Sequence, residues 1–308
     1  MLKSILITGA NTGLGKEAAR QLALLDDTTK IYLACRNPDR AQAAKHSLEE
    51  STGKRIFEIL PMDLMDLDSV RRSVQLLPEA VDGLIMNAGG SGGTTPGEKT
   101  KDGVTQMFAT NLLGHVVLVN ELLKAKKLSK IAIFSGSEAA RGIKKIGMKR
   151  PDLKHSSIAE FKSIADGSYF AGNFDANKGY VLVKYMAALW ISSMARKNTG
   201  IKFLTISPGM TSGTDVMNNM PPIARFLVKQ LAHRVMRFFG LIHSLESGAK
   251  RYLAGLQNTS LNNGGFYASA EHTITGVLVD QAIIFEDFNN EKFQSNVDKA
   301  IHSFIHEK

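Results

Sequence analysis

The sequence predicts an α/β protein with a doubly wound, mostly parallel seven-stranded sheet and helices on both faces. Short apolar runs alternate with helical segments along the first half of the chain, which is the order of a parallel sheet with crossover helices. A glycine-rich turn joins the first apolar run to the first helix. The 308 residues, 44% of them hydrophobic, suffice for a full core, so we predict a single domain over 1–308.

Composition narrows the classes of function. The net charge is +9, but the basic residues are dispersed and form no arm or strip, so we expect no nucleic-acid binding. No apolar run approaches the about 20 residues of a membrane helix, and the first strand leaves no room for a signal peptide. The single cysteine, Cys35, favours a reducing, cytoplasmic setting. The eight histidines show no metal-ligand pattern, so we predict no metal.

The first strand, around Ile5–Ile7, leads into the glycine turn Thr8–Gly15 and then a helix. Strand, turn and helix in this order direct the N–H groups of the helix N-terminus at a ligand phosphate. A P-loop is excluded because Glu17 stands where Ser or Thr is required and Ala10 replaces its first glycine. We therefore predict a Rossmann-type dinucleotide site. Its contacts in this turn are predicted at Gly9, Asn11, Thr12, Gly13, Leu14 and Gly15.

The remaining elements follow from apolar runs, helical spacing and breakers. Asn37 caps a helix with Pro38 at its first position. Later strands are predicted over Lys30–Cys35, Arg55–Leu60, Val81–Asn87, Lys130–Ser135, Lys202–Ser207 and Gly265–Ala268. Helices are predicted over Pro38–Thr52, Asp66–Leu77, a stretch ending near Lys127, Ala176–Lys197, Ser244–Leu256 and Ile283–Ile305. Two segments interrupt the alternation, an insertion over 138–174 and a predicted substrate lid over 211–239.

The end of the second strand indicates which dinucleotide binds. An NAD site has Asp or Glu about 20 residues beyond the glycines, to bind the ribose hydroxyls. Here Arg36 lies 36 − 15 = 21 residues after Gly15. A guanidinium suits a 2′-phosphate, so we predict NADP(H), with an ordinary surface arginine as the alternative. After the third strand, Asp63 and Leu64 are predicted to contact the adenine, although a turn role would also explain Asp63.

Tyr180 and Lys184 are four residues apart on a predicted helix and so share one face. A free phenol has a pKa of about 10, and a nearby ammonium lowers it, so the pair can act as a general acid or base. Ser137 follows the fifth strand, and we prefer it to Ser135, which is still within that strand. Asn111 interrupts a helix, which indicates a kink or a bound water, or else a buried hydrogen-bonded side chain.

Together these residues resemble the short-chain dehydrogenase/reductase family, from Lys3 to about Ala268. The resemblance implies that Tyr180 exchanges the proton and that Lys184 lowers the Tyr180 pKa and binds the nicotinamide ribose. It also implies that Ser137 stabilises the reacting oxygen and that Asn111 holds a water. Further cofactor contacts are implied at Asn87, Ala88, Gly89, Pro208, Gly209 and Thr211.

Within the family, the chain resembles the branch of retinol dehydrogenases and light-dependent protochlorophyllide reductases. The resemblance lies in Gly9–Gly13, Ala34–Arg36, Thr110–His115 and Phe174–Lys184. An insertion separates Ser137 from Tyr180 by 43 residues (180 − 137 = 43), which is further than in most members. The residues after Lys184 lack the cysteine of protochlorophyllide reductases, which argues against that photochemistry.

The expected function is an NADP(H)-dependent oxidoreductase that transfers hydride between nicotinamide and a carbonyl or alcohol group, with Tyr180 as general acid/base. The Met-rich, apolar segment 211–239 indicates a bulky, apolar small-molecule substrate. Basic residues lie among the apolar ones within 221–239, so a peripheral membrane contact is an alternative to a lid or a dimer contact for this segment. The alternative function is a non-catalytic NADP(H)-binding sensor or regulator, which we would expect to lack Tyr180 or Lys184. A sugar-nucleotide epimerase is disfavoured by the retinol-dehydrogenase-like pattern.

Overall fold

A single twisted sheet organises the computed structural model, which describes residues 2–143, 148–211 and 243–305. Among these residues, eight strands lie in the order β3-β2-β1-β4-β5-β6-β7-β8. The strands are β1 Ser4–Thr8, β2 Lys30–Cys35, β3 Phe57–Pro61, β4 Val81–Met86, β5 Leu128–Ser135, β6 Lys202–Ile206, β7 Phe266–Ala268 and β8 Val279–Asp280. All neighbours pair in parallel except β7 and β8.

The predicted doubly wound, mostly parallel fold is confirmed, but the strand number was predicted as seven. The additional strand is β8, which pairs antiparallel with β7 through Tyr267 with Asp280 and Ala268 with Val279. Two residues are too few for an apolar alternation, so the sequence carries no periodic signal for β8.

Helices cover both faces of the sheet. They are α1 Gly13–Ala23, α2 Pro38–Thr52, α3 Leu67–Leu76, α4 Gln106–Phe108, α5 Gly114–Lys124, α6 Ile158–Asp166, α7 Ala176–Lys197, α8 Leu245–Gln257 and α9 Glu291–His302. The apolar residues of α1, α2 and α8 pack on one face, and those of α3, α5 and α7 pack on the other. This double cover explains why β1 is buried along its whole length.

Local capping signals set several helix starts. The Asn37 side chain accepts a hydrogen bond from the Arg40 N–H at 2.9 Å, and α2 has the predicted bounds. Asp175 caps α7 by accepting from the N–H groups of Asn177 and Lys178. The last predicted helix begins later than expected, at Glu291, because short 3₁₀ turns occupy the preceding residues 281–283 and 286–289.

The two inserted segments differ in how much of each is described. Within 138–174 the chain forms a 3₁₀ turn at Glu138–Arg141, helix α6 and a second 3₁₀ turn at Ser168–Phe170, while 144–147 lie outside the described residues. The predicted lid over 211–239 lies outside them too, apart from Thr211. No helix within the described ranges combines the length and apolarity needed to cross a membrane.

The strand order reverses direction between β1 and β4, which are neighbours although β2 and β3 separate them in the chain. Open α/β sheets form a crevice at such a reversal, at the carboxyl ends of the strands. The predicted site residues lie in the turns and helices that follow these strand ends.

Gly15 allows α1 to pack against the ends of β1 and β4. A Cβ at this position would lie 2.6 Å from the Gly9 carbonyl oxygen and 2.5 Å from Asn87 Nδ2. We expect Gly15→Ala to destabilise the fold by about 1–3 kcal/mol, because backbone must shift to admit the methyl group. Gly200→Ala is the matched control, since no described residue lies within 4 Å of its Cβ position. Urea unfolding measures both, and equal midpoints for the two variants would contradict this packing argument.

Candidate active site

The turn between β1 and α1 leaves the N-terminus of the helix available to a ligand. Thr12 is the N-cap residue, but its side chain makes no capping bond to the described helix. Nothing described lies within 4 Å of where a Cβ would sit on Gly13. N–H groups at such a helix end, together with the helix dipole, favour an anionic group. The turn can therefore hold a pyrophosphate.

The segment after β4 is hydrogen-bonded to this turn at the carboxyl ends of the strands. Asn87 Nδ2 donates to the Thr8 carbonyl at 3.0 Å, and the Ala88 N–H donates to Thr8 Oγ1 at 3.0 Å. A Cβ on Gly89 would lie 2.5 Å from Asn111 Oδ1 and 3.7 Å from Lys184 Nζ. Gly89 therefore lets two predicted catalytic side chains approach the backbone of this segment.

At the other end of the crevice, Arg36 is exposed directly after β2. Asp63 Oδ1 accepts from the Met65 N–H at 3.0 Å, so this carboxylate takes the turn role described above for such a residue. Leu64 is only 6% exposed and packs against Gly114 in the core. Little of the Leu64 side chain is therefore exposed to flank an adenine ring.

Three of the predicted catalytic side chains meet beyond β5. The Ser137 hydroxyl is hydrogen-bonded to Tyr180, which α7 carries in a half-buried position. Lys184 Nζ lies 5.6 Å from the centroid of the Tyr180 ring and donates to the Ser135 carbonyl at 2.9 Å. The Ser135 hydroxyl instead lies 2.6 Å from the Tyr252 hydroxyl. Ser137, and not Ser135, is therefore the serine that faces Tyr180.

Burial controls the protonation of this pair. Desolvation lowers the pKa of Lys184 to about 7, because the ammonium loses its water. Desolvation raises the pKa of Tyr180, a rise that the Ser137 hydrogen bond opposes and the charge of Glu138 increases. The net shift of the Tyr180 pKa is upward, because desolvation is its largest cause. The arrangement presents a protonated phenol beside an amine that can exchange protons near neutral pH.

Asn111 occupies a π-helical turn, Ala109–Leu113, between α4 and α5. Its buried side chain accepts from the Gly90 N–H at 3.0 Å and donates to the carbonyls of Gly90 at 2.9 Å and Met107 at 3.0 Å. Its backbone carbonyl lies 3.2 Å from His115 Nδ1. The expected irregularity and the expected buried hydrogen-bonded side chain therefore occur together, and the amide holds the segment after β4.

Pro208, Gly209 and Thr211 follow β6 at the same edge. The Gly209 N–H donates to Ser207 Oγ at 3.1 Å. Thr211 forms a parallel bridge with His243, and its methyl group packs against Gly248 of α8. The turn after β6 thus packs against α8 through Thr211.

Comparison with known proteins supports the fold and the class of this site. The family model described as short chain dehydrogenase matches residues 3–142. A short-chain dehydrogenase/reductase of Armillaria gallica is 30% identical over 227 residues, which are 72% of this chain and 69% of that protein. The chain belongs to the short-chain dehydrogenase/reductase family. It is therefore a member of an oxidoreductase family, as the resemblance in the sequence implied.

Other relatives of this short-chain dehydrogenase/reductase include the branch named above. Human retinol dehydrogenase 11 is 29% identical over 213 residues, 67% of this chain and 60% of that protein, so the chain spans less than two thirds of it. Protochlorophyllide reductase of Pisum sativum is 28% identical over 285 residues, 86% of this chain and 69% of that protein. L-sorbose reductase of Gluconobacter frateurii, solved with NADPH and L-sorbose, shares the fold with a TM-score of 0.62 and 19% identity over 90% of this chain and 97% of that one.

Sequence reasoning missed Glu138, a buried carboxylate directly after Ser137. Ser207 Oγ donates to its Oε2 at 2.6 Å, and the Ser269 N–H and hydroxyl donate to its Oε1 at 3.0 and 2.7 Å. Arg251 completes a buried ion pair at 3.4 Å. Glu138 thereby joins the serine turn after β5 to the Pro208–Gly209 turn. The nearest of these partners in the sequence is 69 residues away, so no local pattern could reveal them.

Sequence reasoning also missed Tyr252 on α8. Its fully buried hydroxyl lies between Ser135 Oγ at 2.6 Å and Asn87 Oδ1 at 3.5 Å. Burial raises the pKa of Tyr252, so the phenol stays protonated and can donate. It joins the ends of β4 and β5 on the face opposite Tyr180. The helical spacing of α8 predicted a core tyrosine but not this polar contact.

We expect Glu138→Ala to destabilise the protein by about 3–5 kcal/mol, because it leaves a buried arginine without its counter-charge. Lys250→Ala is the control, since the Lys250–Glu246 pair one residue from Arg251 is exposed and should contribute little. Urea unfolding at pH 7 compares the two variants. If Glu138→Ala unfolds at the same urea concentration as Lys250→Ala, the buried network does not stabilise this edge.

Proposed function

We propose that the protein is an NADP(H)-dependent carbonyl reductase or alcohol dehydrogenase that acts on a bulky, apolar small-molecule substrate. The observation that carries this proposal is the meeting of Ser137, Tyr180 and Lys184 at the edge that also holds the glycine turn. Membership of the short-chain dehydrogenase/reductase family supports the reaction class. A fourth predicted catalytic residue, Asn111, contacts the same edge through Gly90.

The described residues suit NADP(H). The open N-terminus of α1 at Gly13 can take the pyrophosphate, and the exposed Arg36 can take the 2′-phosphate. Lys184 and the Ala88–Gly89 segment would hold the nicotinamide ribose, with Pro208 and Gly209 beside the ring. When bound, NADP(H) supplies or accepts the hydride.

The chain's own groups manage the proton. In carbonyl reduction, Tyr180 Oη donates its proton to the substrate oxygen, and burial keeps this phenol protonated for the purpose. The Ser137 hydroxyl donates to the same oxygen and orients it. Lys184, with a pKa of about 7, then returns a proton toward Tyr180, since a pKa near the working pH suits proton transfer. Alcohol oxidation uses the same groups in reverse.

Aromatic side chains before Tyr180 favour an apolar substrate. The Phe174 ring packs against Gly97 and against Gly179, which directly precedes Tyr180. Phe170 lies 4.6 Å from Phe174 between ring centroids. These half-buried rings form an apolar surface next to the phenol, where a substrate with a large hydrocarbon portion would bury area favourably.

Tyr180→Phe should lower kcat by about 10²–10⁴-fold, because it removes the proton donor, while NADPH still binds. The assay is NADPH oxidation against a panel of apolar aldehydes and ketones, with NADPH binding followed by fluorescence. Tyr185→Phe is the control, since the Tyr185 hydroxyl contacts Asp287 and lies outside the proposed machinery. Unchanged turnover in Tyr180→Phe would overturn the mechanism. NADPH binding by the wild-type protein without turnover of any carbonyl would favour the sensor or regulator.

Arg36→Asp should weaken NADPH binding by roughly 10–100-fold, because each lost charged hydrogen bond is worth about 1.5–3 kcal/mol. NADH binding should change much less. Arg55→Asp is the matched control. The exposed Arg55 precedes β3 and so lies at the amino ends of the parallel strands, away from the proposed cofactor site. Titration calorimetry measures both cofactors. An equal effect on NADPH and NADH would show that Arg36 does not select the 2′-phosphate.

A further inference from the structure

His115 is a fully buried imidazole whose two ring nitrogens are both hydrogen-bonded. It is the second residue of α5, directly after the π-helical turn that contains Asn111. Nε2 lies 2.9 Å from Thr8 Oγ1, and Nδ1 lies 3.2 Å from the Asn111 carbonyl oxygen. The ring also meets Phe134 edge-on, with centroids 5.6 Å apart. A buried polar ring is costly unless bonded, so these two contacts determine its orientation.

The partners of the ring fix where its proton lies. A carbonyl oxygen can only accept, so Nδ1 carries the hydrogen and donates to Asn111. Burial lowers the pKa of His115 to about 3, with a contribution from the charge of Lys184, so the ring is neutral. Nε2 is then an acceptor, and the Thr8 hydroxyl must donate to it. Thr8 Oγ1 in turn accepts from the Ala88 N–H at 3.0 Å.

These contacts form one directed chain from Ala88 through Thr8 and His115 to the Asn111 carbonyl. Thr8 begins the glycine turn, and Ala88 belongs to the segment that would border the nicotinamide ribose. Asn111 is the residue for which the family resemblance implies a bound water. A single neutral ring thus connects the two strand ends that hold the cofactor with the carbonyl that would hold the water.

The π-helical turn makes the Asn111 carbonyl unusual. In an α-helix, this carbonyl accepts from the N–H of the fourth residue along, which here is residue 115. A π-helical turn moves the bonding to the fifth residue, as the Gly114 N–H to Ala109 carbonyl bond shows. The side chain of His115 also donates to the Asn111 carbonyl. The ring therefore occupies one of the two lone pairs of this oxygen and holds the peptide plane of Asn111 in place.

We propose that His115 is a positioning residue that aims the Asn111 carbonyl and couples it to the glycine turn through Thr8. The proposal rests on the proposed function, because it assigns to the Asn111 carbonyl the water that the family resemblance implies for Asn111. His115 itself transfers no proton. Its two nitrogens have separate effects, Nδ1 on the proton step and Nε2 on the cofactor side.

Two variants separate the two nitrogens. Gln reaches about as far as Nε2, so His115→Gln keeps a partner for Thr8 and loses the donor to Asn111. The Asn side chain reaches about as far as Nδ1, so His115→Asn keeps a donor to the Asn111 carbonyl and loses the acceptor for the Thr8 hydroxyl. We expect His115→Gln to lower kcat about tenfold with NADPH affinity unchanged, as for one lost hydrogen bond. His115→Asn should weaken NADPH binding about tenfold and change kcat less. Similar losses of kcat and NADPH affinity in both variants would show a packing role alone and overturn the proposal.

Thr8 offers a smaller substitution at the far end of the chain. Thr8→Val removes the hydroxyl at nearly constant volume and should weaken NADPH binding as His115→Asn does. Thr8→Ser retains the hydroxyl and should restore wild-type affinity. If Thr8→Val binds NADPH like the wild type, the coupling through Nε2 is wrong, and this result stands even where a His115 variant fails to fold.

The tautomer provides a readout that packing would not produce. In NMR spectra of protein labelled with ¹⁵N-histidine, the signal that disappears in His115→Gln belongs to His115. We expect this signal to show a ring that is protonated on Nδ1 and does not titrate between pH 5 and pH 8. A proton on Nε2, or a titrating ring, would overturn the proposal. Neither this spectrum nor NADPH binding requires turnover. A wild-type protein that turns over no carbonyl would therefore count against the proposed function while the arrangement at His115 is still tested.

Discussion

Contact between the ends of β1 and β4 is the constraint on which the site depends. The amide of Asn87 and the N–H of Ala88 both bond to Thr8, so the two turns that follow these strands are held together. Gly15 lies against Asn87 and the Gly9 carbonyl group, without room for a side chain. Because a side chain on Gly89 would meet Asn111 and approach Lys184, glycine at this position lets α7 lie close to the junction.

Buried polar side chains brace this edge from both faces of the sheet. Tyr252 approaches from the α8 face and bonds to the ends of β4 and β5, and His115 approaches from the α5 face and bonds to the end of β1. Each is surrounded mainly by apolar core, where an unpaired polar atom would be expensive. Such fully bonded groups permit one arrangement of the strand ends, because any shift breaks bonds that water cannot replace. The rigidity of the edge suits a reaction that needs proton donor and cofactor in fixed relation.

What the sequence could predict was local in the chain. The glycine turn, the Asn37 cap and the spacing of Tyr180 and Lys184 each depend on neighbours within a few residues, and the structure has each in the predicted element. The preference for Ser137 over Ser135 rested on strand position, and the side chains face as that position suggested.

What the sequence could not predict depends on distant partners or on burial. The hydrogen-bond partners of Glu138 and Tyr252 come from other elements of the fold. Strand β8 forms by pairing with the edge strand β7. The direction of the Tyr180 pKa shift follows from desolvation, which residue spacing does not reveal. The burial of Leu64 follows from the close approach of Gly114, which is also a tertiary contact.

The buried network of Glu138 has a consequence for synthesis on the ribosome. Glu138 emerges 113 residues before Arg251 and 131 residues before Ser269. An unpaired carboxylate cannot be buried at an acceptable free energy, so Glu138 must stay hydrated until both partners have been made. Because a domain generally folds as a unit, this network favours folding of the sheet after its distant partners have been synthesised. The segment that carries Ser137 can therefore reach its final packing only after translation has passed Ser269.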